Sequence, residues 1–244
     1  MNTLTFTRFE PLGCAGREAL NTLCTNLSLA LAPGSGGMKL MITSCRPDEG
    51  KTFVSMNMMR ALAELGKSAV WVDADLRHSV ASARYGMEIR EGKPRGMTHY
   101  LSGMCSADDI LYATNIKGAY AVPVRQTVSN SLPLLITPRL PLLLNSLARD
   151  HDMVLVDAPP IGELSDAAEI ARHCDGTVLV VAYHKISGKE LYERHRQIER
   201  AGCKVLGVAL NKVTCDSIHS QSSCRRTHRV QKGEGGRLCK RKKQ

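Results

Sequence analysis

Short, continuous apolar runs alternate along this chain with segments whose apolar residues recur at helical spacing. The runs occupy residues 40–42, 69–72, 153–156, 178–182 and, interrupted by Gly207, 205–210. Runs of this length are typical of strands that are buried on both faces of a parallel sheet. Because helical patterns lie between several of them, the sequence predicts an α/β fold with a doubly wound, mostly parallel sheet flanked by helices.

A helix near the start of the chain is indicated by leucines at helical spacing. The period runs from Leu20 to Leu31 and stops at the loop-forming cluster PGSGG, residues 33–37. We therefore expect an amphipathic helix over residues 16–32, followed by a loop.

A later helix has boundary signals in its sequence. Ser187 and Glu190 have the spacing of a capping box, and Gly202 stands where such a helix would end. The stretch 90–128 is less regular and is interrupted by glycines. We expect short helices and loops there, packed over one end of the sheet.

The apolar pattern ceases after Val213. Between Cys215 and Gln244 there are nine lysines and arginines and two acidic residues, so this segment carries most of the formal net charge of +10. Such a composition cannot bury a core. We expect a folded domain over residues 1–213 and a basic, disordered tail over residues 214–244. The abrupt change would also follow from a shifted reading frame.

The composition of the tail limits what it could bind. It contains no aromatic residue on which a base could stack, so we expect non-specific charge attraction and no specific nucleic-acid partner. The spacing Cys215-x3-His219-x4-Cys224-x3-His228 lacks a close cysteine pair and is a weak zinc pattern. The nine cysteines of the whole chain have no paired spacing, which favours free thiols in a reducing compartment.

The sequence shows no sign of a membrane-spanning or secretory segment. No apolar window approaches the roughly 20 residues that cross a bilayer. The opening residues, MNTLTFTRFE, have no basic region followed by an apolar block. We expect a cytoplasmic protein.

Candidate chemistry begins with the stretch TSCRPDEGKTF, residues 43–53, which lies between an apolar run and a helix-like segment. Gly50, Lys51 and Thr52 fit the end of the pattern G-x-x-x-x-G-K-[ST], while Cys45 stands at the first glycine position. A turn between strand and helix directs backbone N–H groups and the positive end of the helix dipole at one point. We expect Lys51 to contact nucleotide phosphates and Thr52 to bind magnesium.

Three aspartates follow two other apolar runs. AVWVDADLR places Asp73 and Asp75 at the end of one run, and MVLVDAPP places Asp157 at the end of another. Ligand sites in open α/β sheets lie beyond the carboxyl ends of the strands, so these acids and the Lys51 loop should converge there. Carboxylates beside a phosphate-binding lysine need a cation between them, and Mg²⁺ is the natural choice.

Six motifs in order resemble one family, the bacterial tyrosine kinases of capsule and exopolysaccharide synthesis, the CpsD/CapB type. They are GREALNTLCTN, TSCRPDEGKTF, VDADLR, SNSLPLL, VLVDAPP and GVALN, spread over residues 16–213. The resemblance implies a P-loop NTPase-type fold. It also implies an autophosphorylating, ATP- and Mg²⁺-dependent tyrosine kinase that regulates polysaccharide synthesis.

The resemblance also implies a role for individual residues. The catalytic residues would be Lys51, Asp73 and Asp75, with Asp73 orienting or deprotonating the incoming tyrosine. The metal ligands would be Thr52, Asp75 and Asp157. The cofactor-binding residues would be Arg46, Pro47, Asp48, Glu49, Gly50, Lys51, Thr52, Phe53 and the adenine-reading Asn211.

Partners follow from the resemblance as well. Family members without membrane segments are activated by a separate transmembrane protein of the chain-length type, which would recruit this chain to the inner face of the membrane. A homo-oligomer is also implied, through the segment 16–32. The ring-forming motif E-x-x-R-x-x-R is degraded here, because Glu18 remains but Asn21 and Cys24 replace the arginines, which neither residue can mimic.

Other differences leave two further functions open. Cys45 and Asp48 replace small or glycine residues of the loop. The tail has no tyrosine, so either the tyrosine substrate is another protein or this tail is not the functional one. One alternative is an ATP-binding regulatory switch without tyrosine transfer. The other is an ATPase similar to the MinD/ParA group, whose signature lysine position is occupied here by Arg46.

Overall fold

The computed structural model describes residues 2–30, 36–91, 93–162 and 165–213, and all strands and helices given below lie in these ranges. The strands are β1 (Asn2–Phe6), β2 (Met38–Ser44), β3 (Ala69–Asp73), β4 (Met87–Glu91), β5 (Tyr112–Thr114), β6 (Ala119–Val122), β7 (Met153–Asp157), β8 (Gly176–Ala182) and β9 (Val205–Asn211). The helices are α1 (Cys14–Ala30), α2 (Lys51–Glu64), α3 (Ala81–Tyr85), α4 (Met97–Leu101), α5 (Leu132–Leu135), α6 (Arg139–Asp150), α7 (Ser165–Ala171) and α8 (Gly188–Arg200).

The strands form one sheet in the order β4-β1-β5-β6-β3-β7-β2-β8-β9. The six neighbouring strands β6-β3-β7-β2-β8-β9 are all parallel to one another. They include all five strands that the apolar runs predicted. The pairs β1–β4 and β5–β6 are antiparallel. The mostly parallel α/β sheet expected from the sequence is therefore confirmed.

The expectation for residues 90–128 was partly wrong. The short helix α4 lies there, but so do β5 and β6, and these two strands join β1 and β4 to the parallel part of the sheet. β5 has three residues and β6 has four. Strands this short give no apolar run long enough to stand out from a loop.

Alternate side chains of the central strands pack on opposite faces of the sheet. Leu40, Ile42 and Trp71 lie in one buried cluster, on the face covered by α1 and α2. Met41 and Val72 lie in the other, with residues of α4 to α8. Both faces are covered, which explains why these strands read as continuous apolar runs.

Helix α1 begins two residues earlier than expected and ends at Ala30. Within it Asn21 is exposed and Cys24 is buried against the core. Part of the glycine-rich cluster that follows, the expected tail 214–244 and its zinc-like spacing lie outside the described residues. Among the described residues, no helix combines the length and apolar character needed to cross a lipid bilayer.

The predicted start and end of α8 are present. Ser187 is the N-cap, and its hydroxyl accepts a hydrogen bond from the Glu190 N–H at 3.2 Å. At the other end Gly202 has φ +86°, and the N–H groups of Gly202 and Cys203 donate to the carbonyls of residues 199 and 198. This pair of bonds is a Schellman motif. The Glu190 carboxylate binds Arg46, in the loop after β2.

Replacing Ser187 by Ala should remove this cap and lower the free energy of unfolding by about 1 kcal/mol. Urea unfolding followed by circular dichroism measures the change. The matched control is Ser102→Ala, at an exposed hydroxyl that caps no helix start. Equal midpoints for the two variants would show that the Ser187 hydroxyl contributes nothing to stability.

Candidate functional site

The predicted site residues come from neighbouring strands at the carboxyl edge of the sheet. β3, β7 and β2 are adjacent, and Asp73 and Asp157 are direct partners in the register of β3 and β7. The loop after β2 leads directly into α2, whose first residue is Lys51. The structure therefore brings the lysine loop and the aspartates to one place.

The turn before α2 leaves several backbone donors free. Gly50 is the N-cap, with φ +94° and no side-chain cap. In the described part of the chain, the N–H groups of Lys51, Thr52 and Phe53 have no hydrogen-bond acceptor. A Cβ at position 50 would lie 2.1 Å from Asn211 Nδ2, so only glycine fits there. These donors and the helix dipole make the turn a ready anion site.

Glu49 holds this loop together from inside. Its carboxylate is buried and accepts hydrogen bonds from the N–H groups of Cys45 (2.8 Å), Arg46 (2.9 Å) and Ala182 (3.3 Å). The Glu49 carbonyl accepts from Asn211 Nδ2 at 2.9 Å. The Glu49 side chain, which was expected to bind the cofactor, thus forms its hydrogen bonds within the protein. The Asn211 side chain, which was expected to contact adenine, donates to the loop.

The two unusual loop residues fit without blocking the turn. Cys45 is buried and is not left-handed, and its burial, with a further contribution from the Glu49 carboxylate, raises the pKa of its thiol to about 12. Asp48 is exposed, as is Pro47, and it has φ +59°, a conformation that glycine adopts more readily. Its carboxylate faces solvent, where its repulsion of a phosphate is screened.

Lys51 forms an ion pair with Asp75. Its Nζ lies 3.0 Å from Asp75 Oδ2, and the two side chains are 14% and 4% exposed. Burial alone would lower the pKa of the lysine, but the charges of Asp157 and Asp75 outweigh burial and raise that pKa above its usual value. The ammonium group is therefore firmly protonated at the edge of the sheet.

The other two aspartates are fully buried and hold their protons more strongly than usual. Burial, followed by the charge of Asp157, raises the pKa of Asp73 to about 8. Burial raises the pKa of Asp157 to about 6, although the Lys51 charge acts against it. Ser79 donates a hydrogen bond to Asp73 Oδ2, and the Asp75 N–H donates to Oδ1 at 3.2 Å.

The same cluster suits a small divalent cation. Asp157 Oδ1 is buried and has no hydrogen-bond partner among the described residues. The Thr52 hydroxyl acts to lower the pKa of the Asp157 carboxyl, which places these two oxygen groups near each other. In the described ranges no three His, Cys, Asp or Glu side chains could hold a metal on their own. Mg²⁺ in proteins usually keeps several waters and takes ligands from bound phosphates, so it needs few protein oxygens.

Three further predicted residues lie near the loop without facing the acids. Arg46 turns to α8, where its guanidinium makes two bonds to the Glu190 carboxylate, at 2.8 and 2.6 Å. Phe53 and Asn211 line an apolar groove of about 390 Å³ with residues of α1 and β9, among them Leu20. Their contact with a nucleotide stays a prediction.

Three residues that support the aspartate loop were not predicted from the sequence. Arg77 Nε donates to Ser131 Oγ at 2.7 Å and to Asp166 Oδ2 at 3.2 Å, and Ser131 also donates to Asp166. The Val128 N–H donates to the Leu76 carbonyl at 2.9 Å. These bonds tie the segment after β3 to the segment after β6 and to α7. Arg77 lies in the motif VDADLR and Ser131 in the motif SNSLPLL. Their place in these motifs was the one indication in the sequence that they have a role at the site.

Known proteins resemble this chain in sequence and in structure. Residues 40–234 match the family model described as the CobQ/CobB/MinD/ParA nucleotide binding domain. Tyrosine-protein kinase CpsD of Streptococcus agalactiae is 34% identical over 81% of this chain and 82% of its own length. The kinase domain of Escherichia coli tyrosine kinase ETK superposes with a TM-score of 0.73 at 28% identity, covering 81% of this chain and 77% of that domain.

A likeness at the level of the fold extends further. MinD from Pyrococcus horikoshii, solved with Mg-ADP, gives a TM-score of 0.60 at 24% identity and covers 71% of this chain and 70% of its own. These neighbours confirm the P-loop NTPase-type fold. The family match shows that the chain contains a nucleotide-binding domain.

The raised pKa of Asp73 should make the metal-free protein less stable as the pH rises. In the unfolded chain an aspartate loses its proton near pH 4, at about its ordinary pKa. In the folded protein Asp73 keeps its proton up to about pH 8. The unfolded state therefore binds fewer protons between these values, and the free energy of unfolding falls with rising pH.

Asp73→Asn should flatten this dependence, because the amide stays neutral. Across that interval the variant should lose less stability than the wild type by at least about 1 kcal/mol, the free energy of one pKa unit. Urea unfolding at several pH values in the presence of a chelator measures the slope, with Asp108→Asn, at an exposed carboxylate, as the control. Parallel slopes for Asp73→Asn and wild type would contradict the buried, protonated aspartate.

Proposed function

Because this chain belongs to the CpsD family of bacterial tyrosine-protein kinases, we propose that it transfers the γ-phosphoryl group of ATP to tyrosine hydroxyls in the control of capsule or exopolysaccharide synthesis. The resemblance seen in its motifs is confirmed by the relatives it matches, and the chain is a protein tyrosine kinase. The cluster of Lys51, Asp75, Asp73 and Asp157 at one edge of the sheet carries the proposal.

The phosphates would bind in the turn before α2. The free N–H groups of residues 51–53 point along the axis of the helix toward its positive end, where an anion is stabilised. The ammonium group of Lys51 would contact the β- and γ-phosphates and offset part of their charge. Its ion pair with Asp75 holds the side chain at the site before the nucleotide arrives.

Thr52, Asp75 and Asp157 would hold Mg²⁺, directly or through water. Bound Mg²⁺ would neutralise part of the charge that the transferred phosphoryl group carries. The unpartnered Asp157 Oδ1 and the neighbouring Thr52 hydroxyl are the oxygen donors that support this choice.

Asp73 would accept the proton of the tyrosine hydroxyl. Its pKa of about 8 lies near the working pH, where a general base is most effective, and the molecules in which Asp73 has lost its own proton are the ones that accept the proton of the tyrosine. The bonds from Ser79 and from the Asp75 N–H fix the direction of its two oxygens. Asn211, beside Gly50, would contact the adenine.

Partners of the kinase are part of the same proposal. A transmembrane protein of the chain-length type would bind the kinase and bring it to the inner face of the membrane. Further copies of the chain would associate through α1, on which Glu18 and Asn21 border an exposed polar cleft of about 530 Å³.

An ATPase similar to MinD is the second candidate, and the shared fold favours it. In that case water, and not a tyrosine hydroxyl, would attack the γ-phosphorus of ATP. The two functions differ in their product, which is phosphotyrosine for the kinase and free phosphate for the ATPase.

Lys51→Ala should reduce tyrosine phosphorylation by at least about 100-fold, the scale on which preorganised charge stabilises a transition state. Labelled Mg-ATP, a Glu–Tyr copolymer and the full chain are incubated, and phosphotyrosine and free phosphate are measured separately. Lys67→Ala is the control, because Lys67 is exposed in the turn between α2 and β3.

Phosphotyrosine that disappears only in Lys51→Ala supports the kinase. Free phosphate without phosphotyrosine in the wild type would favour the ATPase. Binding of Mg-ATP with neither product would favour a nucleotide-switched regulator.

Asp157→Asn should weaken the response to Mg²⁺. The magnesium concentration for half-maximal phosphorylation should rise by about tenfold or more, the order of effect expected when the support of a metal site is removed. Asp150→Asn, at an exposed position before β7, is the control. An unchanged magnesium requirement in Asp157→Asn would exclude this carboxylate from the metal site.

A further inference from the structure

If this chain is phosphorylated on tyrosine, the positions of its tyrosines limit where the phosphate can be. It has six, at positions 85, 100, 112, 120, 183 and 192, and all of them lie within the described residues. The segment 214–244 has none. A phosphoacceptor on this chain must therefore be found in its folded part.

Three of the six tyrosines are buried. Tyr100 donates its hydroxyl to the Arg139 carbonyl at 3.2 Å. Tyr112 donates to the carbonyls of residues 93 and 95, at 2.7 and 2.8 Å. Tyr85 packs in the core against Phe9, and burial raises the pKa of its phenol to about 12. None of the three hydroxyls can reach another active site without local unfolding.

Two more tyrosines are half-buried and packed on histidine rings. Tyr120 contacts the ring of His151, with centroids 4.6 Å apart and planes tilted by 51°. Tyr183 contacts the ring of His184, with centroids 3.9 Å apart and planes tilted by 56°. The Tyr183 N–H donates to the Asn211 carbonyl. Both rings would have to leave these contacts to enter an active site.

Tyr192 differs from the other five, because it is 61% exposed. It lies in the second turn of α8, and α8 begins at the carboxyl edge of the sheet because it follows β8. Glu190, which binds Arg46 of the phosphate loop, is about 3 Å away along the helix axis. Tyr192 is therefore on the rim of the same edge as the active site.

The direction of Tyr192 favours transfer between two copies of the chain. Residues two apart on a helix point to nearly opposite sides. Glu190, 17% exposed, points to the phosphate loop of its own chain, so the exposed Tyr192 points away from that loop. A second copy could receive the phenol without any change in the helix.

The surroundings of Tyr192 suit the product. Lys189, three residues earlier, and Arg196, four residues later, are both exposed on the same face of α8. A phosphate on the phenol would place about two negative charges between these cations. Phosphorylation there would add ion pairs along the helix and would not disturb the core.

We propose that Tyr192 is the phosphoacceptor tyrosine of this chain, phosphorylated by a second copy of it. The inference rests on the kinase activity proposed above. The phenol oxygen of Tyr192 forms a bond to the γ-phosphorus of ATP, and the bond between that phosphorus and the β,γ-bridging oxygen breaks. ADP leaves with the bond electrons, and the phenol proton passes to Asp73 of the second copy and then to solvent.

Two complementary full-length variants test the inference. Tyr192→Phe keeps the catalytic cluster and lacks the acceptor, whereas Lys51→Ala keeps the acceptor and lacks the phosphate-binding lysine. The two chains carry tags of different size and are mixed with labelled Mg-ATP and a Glu–Tyr copolymer. Label should appear on the Lys51→Ala chain and on the copolymer, and the Tyr192→Phe chain should stay unlabelled.

Two double variants test whether Tyr192 is the tyrosine that is phosphorylated. Combining Lys51→Ala with Tyr192→Phe should abolish the label, whereas combining it with Tyr183→Phe should keep it. Mass spectrometry should place the phosphate on the tryptic peptide of residues 190–194. Label that persists without Tyr192, or maps elsewhere, overturns the inference while copolymer phosphorylation still supports the kinase. Absence of label on both chain and copolymer overturns the kinase proposal and this inference together.

Discussion

The ion pair between Lys51 and Asp75 is the contact on which the rest of the site depends. It places a protonated ammonium group beside three carboxylates that the sheet buries at its carboxyl edge. One positive charge cannot balance three negative ones in a place that excludes water, and two of the carboxyls respond by holding their protons more strongly. Added cationic charge would relieve this imbalance, which gives the site its affinity for a metal-bound nucleotide.

The loop that faces this cluster is shaped before any ligand binds. The buried Glu49 carboxylate ties together the N–H groups of Cys45, Arg46 and Ala182, so the loop is fixed to both β2 and β8. Asn211 adds a bond from β9. A loop that is already ordered loses little entropy when it binds phosphate. The cysteine in place of the usual first glycine is compatible with this arrangement because its side chain packs inward.

The sequence predicted the centre of the molecule better than its margins. β2, β3, β7 and β8 contribute buried side chains to both clusters, so each was readable as an apolar run. β9 was also read as a run, although it lies at the edge of the sheet with Val208 and Leu210 exposed. β1, β4, β5 and β6 are shorter or near the edge of the sheet and left no such pattern. Motif spacing was sufficient to predict that the lysine and the aspartates would meet, because the carboxyl ends of parallel strands share one edge.

Contacts between parts of the chain that are distant in sequence could not be predicted from the spacing of residues within the motifs. Arg46 was expected at the cofactor, but its partner Glu190 is 144 residues away in sequence. Ser131 and Asp166 support Arg77 from two other segments. The inward turn of Glu49 likewise depends on β8, which arrives 133 residues later. Each of these contacts is set by the packing of the sheet and not by a local pattern.

One metal-bound nucleotide should lie between the turn before α2 and the three aspartates. A crystal structure with Mn²⁺ and a non-hydrolysable ATP analogue tests it most directly, because the anomalous signal of manganese locates the metal. We expect a metal peak within direct or water-mediated reach of Thr52, Asp75 and Asp157, with the analogue's phosphates on the N–H groups of residues 51–53. A peak distant from these carboxylates, or phosphates bound away from the turn, would contradict it.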